Sequence, residues 1–412
     1  MTAWLTFFFA AALLLPPLPI ALGDSGPHLC LLIAGIGLLL GIMSLAHWRI
    51  RPCGLNAAFT ALFGALFVSV AMAALHSGGN AAATSFARVA LVGISVYVFF
   101  YAAYGPAPRF DDWRATRRIY LFATLSALFA CVDFYFQFPA PAGFEPQFVW
   151  LDSGVFRRAQ GLFYEASTLG NFCAFFLVMI AVALSRPKEE SPVSRKLLIA
   201  GGAVFFGALV LSFSRGSVIN LLVAGAVLAW INRRRVPLRR VVAICGVCAA
   251  AGGLLWWILL PQMAAMYWLR LTATGEYFFS ATEQVLSGRV ASWRTLAAWI
   301  AANPWQLIFG IGYKTLPYTT YLGEPVVADN MYLSLLIETG IAGLACLAWL
   351  NAAILRASAR ASRAADPRRS FFGAWMLCFW SGETVQMLSG DLLTYWRVLP
   401  VYFFVLALAV RE

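Results

Sequence analysis

Charge is what this sequence has least of. Asp, Glu, Lys and Arg make up 12% of the 412 residues, and hydrophobic residues 61%. Soluble domains are about a quarter charged, so a soluble fold is excluded. Histidine is scarcer still: His28, His47 and His76 stand near the borders of apolar runs, far in sequence from the polar stretches. A metal site needs convergent ligands, and neither these histidines nor any carboxylate cluster supplies them, so no metal or other cofactor is expected. Seven of the eight cysteines fall in apolar runs and Cys53 beside a basic loop, which leaves no disulfide framework. Cys245-x-x-Cys248 has a redox-like spacing, but inside an apolar run small core residues are the expected reading.

Long apolar runs are what the sequence does have. They are continuous and about twenty residues long, the length that spans a bilayer as a helix, rather than the alternating segments of about ten residues that build a membrane β-barrel. A helix satisfies its own backbone in lipid. The fold class expected is therefore an all-α polytopic membrane protein in a single membrane domain over 1–412. Twelve spans are predicted: 3–22, 28–46, 56–75, 86–104, 119–138, 168–185, 197–213, 217–232, 241–261, 331–355, 370–388 and 394–410. The first lacks the basic start of a signal peptide and is kept as a span.

Lys and Arg are divided unequally between alternate loops. Of the 30, 21 fall in one set and nine in the other: Arg88, Arg157, Arg158, Arg215, Arg270, Arg289, Arg294, Lys314 and Arg397. Positive loops stay in the cytoplasm. This predicts cytoplasmic termini, with a long loop over 262–330 and a second over 139–167 outside. The net charge of +12 then records topology and contact with lipid headgroups, and does not signal nucleic acid.

The polar residues that defy this bias are the candidates for chemistry. Arg157 and Arg158 precede Glu165, which sits at the mouth of a helix where its dipole favours a carboxylate. The alternative is a structural Arg–Glu pair. Asp133 falls within a span near its outer end, either as a functional group or as a solvated one. Ser214-Arg215-Gly216 splits two apolar runs and reads as a sharp reversal. Its arginine offers a permanently charged fork that fits phosphate or carboxylate, or snorkels to headgroups. In the long loop, Arg289 and Arg294 lie on a predicted amphipathic helix with Val290, Trp293, Leu296 and Ile300. Asn303-Pro304 stops it. Gly310-x-Gly312 makes a tight turn, without the strand or third glycine of a dinucleotide fingerprint. Lys314 follows. Asp329 and Asn330 open the next span, where either could cap it, and Glu338 lies inside that span.

Four pieces, in order, resemble the bacterial O-antigen ligase and O-antigen polymerase superfamily over roughly 150–345. They are Arg158-x-x-Gly161-Leu-Phe, Ser214-Arg215-Gly216, Gly288-Arg289-x-x-x-Trp293, and Asn303-Pro304 with Gly310-x-Gly312, Asn330-x-Tyr-Leu and Glu338-x-Gly340-x-x-Gly343. The resemblance implies a glycosyltransferase of the inner membrane, moving glycan from an undecaprenyl-diphosphate carrier to an acceptor at the periplasmic face, with arginines on the diphosphate. Ligases carry His immediately before the Asn of the last motif; this chain has Asp329. They often continue the first motif Asn-Pro-Asn-like; this chain reads Tyr164-Glu165-Ala166-Ser167. The first departs from the ligase pattern; the second, an acidic residue followed by a small one, looks more like polymerases of exopolysaccharide or O-antigen repeat units. The expected catalytic residues are thus Asp329, Arg215 and Arg289, with Arg157, Arg158, Glu165, Arg294, Lys314 and Asn330 binding substrate. Expected partners are the lipid-linked donor, a glycan or lipid acceptor, membrane lipids and other assembly proteins. Ligation to lipid A core is the alternative. Transport is a second alternative, against which stands the lack of repeated halves.

Overall fold

The computed structural model describes residues 3–18, 27–105, 111–140, 147–151, 154–233, 289–319, 321–323 and 325–411, with scattered positions between 257 and 272. Most of the predicted span 241–261, the Cys245-x-x-Cys248 pair, Arg270 and most of the start of the long loop lie outside the described residues.

Before the first polar loop come α1 (Ala3–Leu14), α2 (Leu29–Met43), α3 (Gly54–Tyr104) and α4 (Asp112–Phe136). A short hairpin follows, β1 (Phe148–Leu151) on β2 (Gly154–Arg157), antiparallel. Next are α5 (Ala166–Leu184), α6 (Arg195–Leu211) and α7 (Arg215–Asn232). The later part holds α8 (Arg289–Ala302), α9 (Gln306–Phe309), α10 (Met331–Ser362), α11 (Pro367–Gln386) and α12 (Leu399–Val410). The protein is an all-α polytopic membrane fold, and the hairpin is the one departure from purely helical expectation among the described residues.

Helices and predicted spans do not correspond one to one. The predicted spans at 56–75 and 86–104 form the single element α3, broken at Gly78, whose φ of +83° only glycine adopts freely. Its halves fold back on each other: the rings of Phe59 and Phe99 stand 4.6 Å apart, and those of Phe67 and Phe86 6.3 Å apart. Two further helices, α8 and α9, come from the long loop. Among the described residues, five helices are long and apolar enough to cross a membrane, namely α3, α4, α5, α7 and α10, while α1, α2 and α12 are shorter apolar helices.

The core lies where α5, α11 and α12 meet. Phe175, Trp375 and Tyr402 pack with ring centroids 4.4 Å apart in each contact to Phe175, and the Trp375 indole donates to the Phe175 carbonyl at 2.8 Å. Two buried arginines serve this frame. Arg397 donates to the carbonyls of Ala12 and Leu15, which satisfies the acceptors that α1 leaves open at its C-terminus. Arg157 bonds Asp133 at 2.6 Å with both side chains buried, pinning the β-hairpin to the end of α4.

Candidate functional site

The site is assembled from three backbone breaks, each imposed by local sequence. The first runs from Arg158 to Glu165. Arg158 Nε donates to the Ser212 carbonyl at 2.8 Å, and the Ala159 amide to Leu211 at 3.0 Å. The segment is thus lashed to the turn between α6 and α7. Glu165 is the N-cap residue of α5, but its carboxylate does not cap the helix. It accepts from Ser167 Oγ at 2.6 Å instead. Burial pushes its carboxyl above the ordinary value, the charges of Asp329 and Asp391 add to that, and the Ser167 bond and Lys314 oppose it.

The second break is the turn before α7. Phe213 takes a left-handed φ of +52°, Ser214 and Ser217 share a hydrogen bond of 2.7 Å, and α7 begins at Arg215. Arg215 is exposed and occupies the first position of an 18-residue helix. There the helix dipole favours an anion in addition to the side-chain charge. The turn packs tightly: a Cβ on Gly170 would come 2.6 Å from Ser214, and one on Gly216 would come 2.8 Å from Ser389.

The third break joins the long loop to α10. At Gly340, φ is +72° and the helix is interrupted. Nearby carbonyls accept from the loop, Ile337 from the Ile311 amide at 3.0 Å and Glu338 from the Gly312 amide at 2.9 Å. Gly310 and Gly340 have no room for a side chain: a Cβ on Gly310 would lie 2.4 Å from Glu338 backbone, and one on Gly340 2.4 Å from the Ile308 carbonyl. The two glycine motifs are therefore the two faces of one brace. A small second core seals it, with Leu296, Ile311, Leu316, Val326, Ala328 and Ile337 buried together.

This brace sets out the charged groups. Asn330 caps α10, accepting from the Leu333 amide at 3.1 Å. Asp329 is not the cap. It sits just before it at a left-handed φ of +45° and pairs with Arg289 at 3.1 Å, while Trp293 Nε1 donates to the Ala328 carbonyl at 2.7 Å. Lys314, also left-handed with φ +58°, forms an ion pair with Asp391. Burial alone would lower the Lys314 ammonium, but Asp391 and Glu338 outweigh it and hold the group above its ordinary value, so it stays charged.

The segment after α11 is the seam on which these parts meet. Met387 accepts from the Met331 amide at 2.9 Å, Ser389 abuts Gly216, and Asp391 holds Lys314. Arg158, Arg215, Glu165, Lys314, Asp329, Asn330 and Arg289 thus belong to adjoining elements at one end of the bundle. One predicted residue stands apart: Arg157 is turned into its pair with Asp133. Arg294 is exposed on α8, the helix that begins at Arg289. Asp391 was missed in the sequence. Its signal is the polar break Ser389-Gly390-Asp391 between two apolar runs. Arg88, counted only as an outer charge, is close enough for Lys314 to feel it.

Residues 200–348 match a family described as O-antigen ligase. The match covers the elements from α6 into α10, and with them Arg215, Arg289, Arg294, Lys314, Asp329 and Asn330. Arg158, Glu165 and Asp391 fall outside it. No curated protein matches the chain.

Proposed function

We propose that the chain, whose residues 200–348 match a family described as O-antigen ligase, is a transferase of that superfamily and a polymerase of O-antigen or exopolysaccharide repeat units. It works in the bacterial inner membrane on undecaprenyl-diphosphate-linked glycans at the periplasmic face. The superfamily supports the coarser statement, a transferase of lipid-linked glycans. The finer one rests chiefly on the Arg289–Asp329 pair, which sets a phosphate-binding cation beside a carboxylate where ligases carry His.

In this reading the acceptor hydroxyl attacks the anomeric carbon of the donor from the side opposite the diphosphate, inverting it. The glycosidic C–O bond breaks, its electron pair goes to the diphosphate, and the hydroxyl proton goes to Asp329. Charge growing on the leaving group is met by Arg215 at the start of α7 and by Arg289, with Arg158 and Lys314 nearby. The Arg289–Asp329 bond is made through Nε, so the terminal guanidinium nitrogens, which match a phosphate bidentately, take no part in it. Donor binding then draws Arg289 toward the diphosphate and releases the carboxylate for the acceptor.

The test is purified protein in vesicles with a carrier-linked repeat unit. Longer carrier-linked glycan with release of undecaprenyl diphosphate is the expected result. Glycan transferred only when lipid A core is supplied turns the assignment to ligase, and consumption of no carrier lipid removes the transferase reading.

A further inference from the structure

Behind the site lies a buried polar cluster that the chemistry above does not use. Asn171 of α5 donates to Glu383 Oε2 at 2.5 Å and to Gln386 Oε1 at 2.9 Å. Asn220 of α7 donates to the same two atoms at 2.8 and 3.0 Å. Tyr402 of α12 donates to Asn171 Oδ1 at 2.6 Å. Four helices are thus joined through two residues of α11. A carboxyl group in a membrane helix is costly and marks function by default. Here the backbones also approach closely, since a Cβ on Gly382 would come 2.3 Å from the Asn220 backbone carbonyl.

The cluster reaches the site by two routes. Gln386 Nε2 donates to Ser217 Oγ at 3.2 Å, and Ser217 is bonded to Ser214 at 2.7 Å, the residue immediately before Arg215. On the other side, Met387 is the next residue after Gln386, and its carbonyl accepts from Met331, two residues after Asp329. A shift of α11 along α7 therefore breaks four amide contacts and moves Arg215 away from the wall that carries Asp329 and Lys314.

We propose that Glu383 and Gln386 are positioning residues. They hold the first turn of α7, and so Arg215, in register against the Asp329–Arg289 and Lys314–Asp391 pairs. The inference rests on the proposed function only in taking Arg215 to bind a diphosphate.

A double-mutant cycle with Arg215 tests this, read by binding of farnesyl diphosphate to the full-length protein in detergent, with thermal unfolding of each variant alongside. Glu383→Leu and Ser217→Ala should each weaken binding by about tenfold when Arg215 is present, and by less than about twofold in an Arg215→Lys background. Glu383→Gln, which keeps an acceptor for both amides, should bind within about threefold of wild type. Where Glu383→Leu does not fold, Ser217→Ala carries the cycle. Equal losses in both backgrounds, no loss in either, or wild-type protein that does not bind the diphosphate overturns the proposal. Glycan transfer is assayed separately. A protein that passes the cycle but transfers no glycan refutes the polymerase reading and leaves the positioning role standing.

Discussion

Arg289 and Asp329, 40 positions apart, are joined by a hydrogen-bonded ion pair of 3.1 Å that ties the start of α8 to the residue before the cap of α10. Their side chains are 28% and 49% exposed. An ion pair that open to solvent contributes at most about 1 kcal/mol, so stability does not explain it. Because Asn330 does the capping, the carboxylate of Asp329 can be removed without disturbing the helix. Asp329→Asn is expected to lower glycan transfer by about 10²–10⁴ and to leave the melting temperature nearly unchanged. Near-normal turnover by well-folded Asp329→Asn would move the base to Glu165.

The arginines answer to a different substitution. Lysine keeps the charge of Arg215 and Arg289 but loses the planar fork that binds two phosphate oxygens at once. Arg215→Lys and Arg289→Lys should each reduce transfer by about 10²-fold, the scale on which removal of one preorganised donor acts. Steady-state rates on a carrier-linked substrate check it, and full activity of both variants would reduce these residues to ordinary positive charge.

The glycine brace separates position from composition. Gly310→Ala and Gly340→Ala each force a side chain into a left-handed residue and against backbone 2.4 Å away. The backbone strain alone costs about 1–3 kcal/mol, and the clash adds to it. Because the two glycines face the same contact, the double variant should lose less than the sum of the singles. Gly225→Ala is the control, since nothing lies within 4 Å of its Cβ and alanine favours the helix by about 1 kcal/mol. Thermal unfolding of the four proteins decides the matter, and equal effects at Gly225 and Gly340 would deny the brace.

The helical frame was legible because lipid leaves the backbone few options, so apolar run length located α4, α5, α6, α7 and α10 to within a few residues, apart from the longer extensions at the start of α4 and the end of α10. A reversal near Ser214 and the stop at Asn303 were likewise written in local residues, although the turn falls at Phe213 and Ser214, and Arg215 and Gly216 already belong to α7. Pairing was not. Arg157 and Arg158 are adjacent in sequence, yet one binds Asp133 and the other the Ser212 carbonyl, a choice fixed by strand register in β2 rather than by residue type. Asp391 and the Glu383 cluster were invisible for a similar reason: their partners are 77 and 212 positions away. The role of Gly310-x-Gly312 was readable only as a turn, since its second half, Gly340, lies in another element.

The buried pair of Arg157 and Asp133 should act on folding alone. Arg157→Ala strands a carboxylate, and Asp133→Ala strands a guanidinium. Loss of one partner from a buried pair costs about 3–5 kcal/mol, and the protein should fall in membrane abundance and melting temperature. Whatever protein folds should turn over normally per molecule. A selective loss of turnover in folded Arg157→Ala would return this residue to substrate binding.

Glu165 gives a prediction in pH. Its carboxyl is raised above the ordinary value of 4.5, first by burial and then by the neighbouring charges of Asp329 and Asp391. The folded state therefore binds this proton more tightly than the unfolded state does. Stability is greatest where the group is protonated in both states, falls as pH rises from about 4.5 through the folded value, and is lower thereafter. Glu165→Gln cannot ionise and carries no such loss. The difference in melting temperature between Glu165→Gln and wild type should thus be small in acid and grow in favour of the variant across that window. Asp329→Asn in the same background should shrink the growth, because it removes one of the charges that disfavours the Glu165 carboxylate. Turnover separates chemistry from burial. If Asp329 is the base, Glu165→Gln keeps most of its rate at neutral pH, whereas a loss near 10²-fold or more assigns proton transfer to Glu165. A melting-temperature difference that stays flat from acid to neutral pH would show that the Glu165 carboxyl is not raised in the folded protein.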